Sequence, residues 1–156
     1  MTALLYAPIG LPGCGKSDVA QRLVDLKALP PNGIVSTSAM RDLVLDDPRC
    51  QTANHAVFDL VYSLAGARLR HGRSVWLDAT HLTSRARSRT IGLANAIPGV
   101  QLVWVRFPAD VDHLAATNAA AQSPMPQNVL DGMVNDLAAI DWATLPGHVV
   151  EASDVA

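Results

Sequence analysis

The chain has little of what holds secreted or membrane-bound proteins together. Its 156 residues include two cysteines, Cys14 and Cys50, so a disulfide scaffold is excluded and a reducing, cytoplasmic setting is expected. No signal-peptide pattern opens it. No apolar run approaches the roughly 20 residues that cross a bilayer, so no membrane partner is expected. Charged residues make up 17% and the formal net charge is −2. No basic excess announces a nucleic-acid partner, although a small basic groove can hide within a near-neutral total. Aromatics amount to 4%, few for a row of base-stacking platforms, which leans toward a small-molecule partner. Repeats and low-complexity tracts are absent.

What is present is carbon. Hydrophobic residues make up 49% of the chain, enough for one well-buried globule of this length. Apolar runs at residues 3–7, 34–36, 74–78, 100–107 and 147–151 read as strands. Between them, helical patterns are expected from Ser17 to about Lys27, from Thr37 to Asp46, over 52–70, from Thr83 to Ile97, from Pro108 to about Ala121, and over 127–140. On the longest, Ala53, Val57, Leu60, Val61, Leu64 and Ala67 form the expected buried stripe. Trp76 and Trp104 lie within strands and read as core. Strands alternating with helices predict an α/β fold, a three-layer sandwich with a central parallel sheet and helices on both faces. Ligands of such sheets bind beyond the carboxyl ends of the strands.

The first strand leads into Gly10-Leu11-Pro12-Gly13-Cys14-Gly15-Lys16-Ser17, which fits the phosphate-loop pattern G-x-x-x-x-G-K-[ST] and is followed by a helix. The glycines leave room for a phosphate and let successive amides point at it. Lys16 supplies a positive charge, Ser17 a hydroxyl for Mg²⁺, and the helix its positive end. Gly10, Gly13, Cys14, Gly15, Lys16 and Ser17 are therefore the candidate nucleotide site, with the Cys14 thiol a bystander. Two further segments, 36–41 and 78–81, also follow strand ends and are expected at the same mouth.

From about Leu4 to Met133 the chain resembles the polynucleotide 5′-kinase branch of P-loop phosphotransferases, especially the kinase domains of phage and bacterial RNA-repair enzymes. Residues 35–41 (V-S-T-S-A-M-R) resemble the family's V-S-S-D-x-x-R. Residues 68–82 (R-L-R-H-G-R-S-V-W-L-D-A-T-H-L) resemble R-L-x-x-G-x-x-V-x-x-D-A-T-N-V/L. Asn118-Ala119-Ala120 and Pro124-Met125-Pro126 resemble its lid. The resemblance implies a single P-loop kinase-like domain over 1–156, with a lid at about 115–128; the length is expected to leave no room for the phosphatase or ligase modules that often accompany such kinases. It implies ATP or another NTP as donor, Mg²⁺ held by Ser17 and Asp78, and a 5′-OH end of RNA or DNA as acceptor. Lys16, Arg41, Asp78 and the position of Ser38 would carry catalysis, with Arg41 gripping the acceptor phosphate.

Two departures stand out. The family's general base, an aspartate, is here Ser38, and its paired lid arginines fall on Thr117 and Ala121. A positioned base is worth about 10²–10⁴ in rate, and an arginine on the transferred phosphate about 10³–10⁵. Asp78 or Asp42 are the carboxylates that can replace the base, and Arg85, Arg87 or Arg89 the cations that can replace the arginines. Arg85 and Arg89 share a helix face that Arg87 does not. Each position also has a plainer reading: Ser38 as a helix cap, the arginine run as a solvated face, and His81, where the family has asparagine, as a capping or hydrogen-bonding group. Two other functions stay open: a nucleotide-binding module with weak or no catalysis, and a small-molecule kinase on the same scaffold.

Overall fold

The computed structural model describes residues 2–155. Five strands, β1 (Ala3–Ile9), β2 (Ile34–Ser36), β3 (Val75–Asp78), β4 (Val100–Arg106) and β5 (His148–Glu151), pair in parallel in the order β2-β3-β1-β4-β5. Six α-helices alternate with them: α1 (Lys16–Asp25), α2 (Thr37–Leu45), α3 (Asn54–Arg70), α4 (Ser84–Asn95), α5 (Val111–Ala119) and α6 (Gln127–Ala138). The expected α/β sandwich with a parallel sheet is what the chain adopts.

Period-two alternation divides the core in two. Leu5, Ala7, Val75, Leu77, Leu102 and Trp104 face one way, onto a cluster that receives Val57, Val61, Ala94, Leu114, Leu130 and Leu137 from α3 to α6. Trp76, Val103 and Val105 face the other way, onto Val19, Ala20 and Leu23 of α1. Trp76 and Trp104 are fully buried, as expected. The Trp104 indole N–H donates to the Pro146 carbonyl at 2.8 Å.

Three expectations need correction. The buried stripe of α3 is Val57, Val61, Ala65 and Leu69, while Leu60 and Leu64 are 45% and 44% exposed. A helix with apolar residues nearly all round has no single stripe until a partner chooses one, and the β-branched edge at 57 and 61 packed against the sheet. Helix α5 starts at Val111, not at Pro108, because the Asp110 carboxylate caps the His113 amide at 2.9 Å. Ser38 does not cap α2. Ser36 does, its Oγ accepting from the Ala39 amide at 3.3 Å, which leaves Ser38 exposed in the first turn.

Candidate active site

The chain leaves β1 at Ile9 and turns through residues 10–15 into α1. Gly13 and Gly15 adopt φ of 74° and 94°, in the left-handed region that side chains disfavour. Gly10 is required sterically: a Cβ there would stand 2.6 Å from Cys14 Sγ and 2.8 Å from Phe107 Cβ. Among the described residues no side chain caps the amides that open α1, so they remain donors for an anion, reinforced by the helix dipole. Lys16 Nζ folds over the loop and donates to the carbonyls of Leu11 at 2.8 Å and Gly10 at 3.3 Å. Ser17 lines the hollow with Gly13, Gly15 and Lys16. Cys14 contributes backbone: burial pushes its thiol pKa up, against the opposing pull of Lys16.

The neighbouring strand ends deliver the other candidates. Ser36 pairs with Asp78 across β2 and β3. The Thr37 hydroxyl donates to the Asp78 carbonyl at 3.4 Å, and the Gly10 amide to the Thr80 carbonyl at 3.4 Å. The three segments expected at one mouth are thus tied together. Burial raises the Asp78 pKa, while the Lys16 charge, followed by Trp76 and Ser36, pulls it back. Arg41 is only 9% exposed. Its Nη2 donates to Asn54 Oδ1 at 2.9 Å, and its guanidinium lies 5.8 Å from the Phe58 ring centre. Among the described residues its Nε has no hydrogen-bond partner. Asp42 is exposed on α2.

His81 has the hydrogen-bonding role suggested for it, in a network the sequence does not reveal. It is 1% exposed, with φ 52°. Its Nδ1 donates to the Pro8 carbonyl at 2.8 Å, and its Nε2 meets Thr90 Oγ1 at 3.1 Å. Thr90 Oγ1 in turn lies 2.8 Å from the Tyr62 hydroxyl. Burial is the main reason its pKa falls to about 4. The imidazole is therefore neutral, and one line of hydrogen bonds joins α3, α4 and β1 just ahead of the phosphate loop.

The arginines of α4 divide as helical spacing implies. Arg87 turns inward and donates to the carbonyls of Leu82 at 2.6 Å and His81 at 3.1 Å. Arg89 pairs with Asp59 at 2.6 Å and lies 4.3 Å from the Tyr62 ring centre. Arg87 and Arg89 are thus engaged locally. Arg85 faces a groove of about 230 Å³ between α3 and the start of α4, lined also by Asn54, His55, Phe58 and Tyr62. In the segment expected as a lid, the Asn118 side chain closes the turn to α6, accepting from the Met125 amide at 2.8 Å and donating to its carbonyl at 3.0 Å.

Among the described residues no three His, Cys, Asp or Glu side chains gather as a metal cage. The hollow itself is lined by the Ser17 hydroxyl and the Asp18 carboxylate, and the half-buried Asp78 stands close enough to feel the Lys16 charge. Mg²⁺ takes few protein oxygens and keeps waters and substrate phosphates as its other ligands. This sparse donor set fits Mg²⁺ brought in with a nucleotide.

Across residues 5–139 the sequence matches the family profile described as AAA domain. No curated protein matches it. Among solved structures it is similar to a chain of the Pnkp1/Rnl/Hen1 RNA repair complex, with TM-score 0.73, 16% identity, 88% of this chain covered and 44% of that one. It is similar to Chaetomium thermophilum Kti12 in complex with ADP-AlF3, with TM-score 0.63, 15% identity and coverage of 94% and 88%. It is also similar to a gluconokinase from Sinorhizobium meliloti 1021, with TM-score 0.56, 16% identity and coverage of 97% and 83%. Likeness at these identities is one of fold, and the fold is that of P-loop kinases. With most of its length matched, the chain belongs to the AAA-domain family and has a P-loop kinase-like nucleotide-binding fold.

Proposed function

We propose that the protein is an ATP- and Mg²⁺-dependent phosphotransferase that moves the γ-phosphate to the 5′-hydroxyl of an RNA or DNA strand. The loop amides and Lys16 would hold the polyphosphate, and Ser17 and Asp78 would hold the ion or its waters. Mg²⁺, when bound, neutralises charge shared by the β- and γ-phosphates. The shallow cleft beside the loop, lined by Gly15, Val19, Phe107, Pro108 and Ala152, offers an apolar seat for the base.

The observation that carries the acceptor class is the α3–α4 groove. Its floor is aromatic, from Phe58 and Tyr62, and Arg85, Arg89 and His55 flank it. Arg41 sits behind it, bonded to Asn54 and lying against Phe58. Aromatic carbon beside the Arg85 guanidinium suits a nucleobase and its phosphate. Arg41 then grips the acceptor phosphate, and positioning does most of the catalysis in place of a strong base at Ser38.

A second reading, a nucleotide-binding module with weak or no transfer, is favoured by Ser38 and by the uncharged Thr117 and Ala121. Transfer of γ-labelled phosphate from ATP to a 5′-OH oligonucleotide, with Lys16→Ala as control, decides between them. Labelled oligonucleotide made by wild type alone supports the kinase. Lys16-dependent ATP binding without transfer or hydrolysis supports the module. Hydrolysis without transfer, or transfer only to small polyols, replaces the nucleic-acid acceptor with another.

A further inference from the structure

No lysine or arginine follows Arg106 in this chain. Arg106 itself pairs with Glu151 at 3.7 Å and lies 4.7 Å from the Trp142 ring centre. The whole stretch 111–140, through α5 and α6, therefore has one side chain able to carry positive charge: His113. That side chain is seated on the phosphate loop. Its Nε2 lies 3.1 Å from the Gly13 carbonyl oxygen. A carbonyl only accepts, so Nε2 carries the hydrogen. One turn later Thr117 packs on the same glycine, its Cγ2 only 3.2 Å from where a Cβ on Gly13 would stand. Gly13 also lines the hollow formed with Gly15, Lys16, Ser17 and Asp18.

These placements put a ring N–H at the rim of a hollow whose lining side chains include the Lys16 ammonium and the Asp18 carboxylate. A nucleoside triphosphate brings about four negative charges to it, and each charge-assisted hydrogen bond there contributes more than a neutral one. We infer that His113 is a donor-binding residue: its Nε2–H passes from the Gly13 carbonyl to an oxygen of the bound polyphosphate. α5 thereby supplies through one histidine a hydrogen-bond donor at the loop that Ala121 cannot provide. The inference rests on the reading of the loop as an ATP site.

The test is calorimetric MgATP binding to the full chain for wild type, His113→Ala, His113→Gln, His113→Arg and Lys16→Ala. Each variant's thermal midpoint is also measured without nucleotide. His113 is exposed, so its variants should fold. The expected result is about tenfold or more weaker binding in His113→Ala, recovery in His113→Arg, and unchanged nucleotide-free midpoints. Equal affinity in wild type and His113→Ala overturns the inference while leaving the ATP site intact. Recovery by His113→Gln but not by His113→Arg also overturns it, because the residue is then only a latch on Gly13. If wild type and Lys16→Ala are alike in failing to bind MgATP, the ATP-site reading fails and this inference with it.

Discussion

His81 makes the stability of this fold depend on pH in a way that can be calculated. The ring is 1% exposed and neutral, and its pKa lies at about 4 against 6.5 for a free histidine. Between those two values the unfolded chain binds a proton that the folded chain refuses. Its stabilising contribution is therefore complete above about pH 6.5 and is lost as pH falls through 4. The full gap corresponds to about 3 kcal/mol at 1.36 kcal/mol per pH unit, of which about 2 kcal/mol is already lost at pH 5 relative to pH 7. The matched control is His81→Asn, since asparagine tolerates the left-handed φ of 52° at this position and does not titrate. Urea unfolding of both proteins at pH 7 and pH 5 gives four free energies. The advantage of wild type over the variant should shrink by about 2 kcal/mol at the lower pH. Asp78, whose raised pKa acts in the opposite direction, is present in both proteins and cancels. An unchanged wild-type advantage at the two pH values would refute the buried neutral imidazole.

Four further outcomes are expected. Ser38→Asp, at an exposed first-turn position of α2, should raise oligonucleotide phosphorylation by about 10²–10⁴, measured by label transfer; no gain would show that position 38 does not face the acceptor hydroxyl. Thr90→Val keeps shape but removes the hydroxyl shared by Tyr62 and His81, and should cost about 1–3 kcal/mol in chemical unfolding. Gly147→Ala forces a Cβ to 2.7 Å from the Leu102 carbonyl oxygen at φ 98°; its thermal midpoint should drop by several degrees, and an unchanged one would show that the β4–β5 edge yields. Lys16→Ala should abolish the MgATP-dependent rise in thermal midpoint that wild type shows when ligand greatly exceeds its dissociation constant.

Features governed by local chemistry were legible in the sequence. The strand, glycine loop and helix around Gly10–Ser17 lie where the motif places them, because positive-φ glycines and a helix start are decided within a few residues. The same holds for the Thr83 cap of α4, whose Oγ1 accepts from Ala86 at 3.2 Å. The strand order and the register of Ser36 beside Asp78 were not legible, although the parallel sense was implied once alternating strands and helices were read as one sheet. The engagement of Arg87 and Arg89 by local partners was also hidden, since an R-x-R-x-R run looks alike whether it faces solvent or carbonyls.

The sequence alone determined that this chain builds a phosphate-binding loop between a strand and a helix, and that its helices cover both faces of a parallel sheet. Each of those properties follows from residue types within one turn or one strand, or from the periodicity of apolar residues. Tertiary structure alone decided which face of α3 is buried, where Arg41 finds Asn54 and Phe58, how His81 links Tyr62 to the strand ahead of the loop, and that His113 rests on Gly13 from 100 residues away. Such contacts join segments with no local constraint between them. Their geometry exists only once the sheet order has brought their elements together.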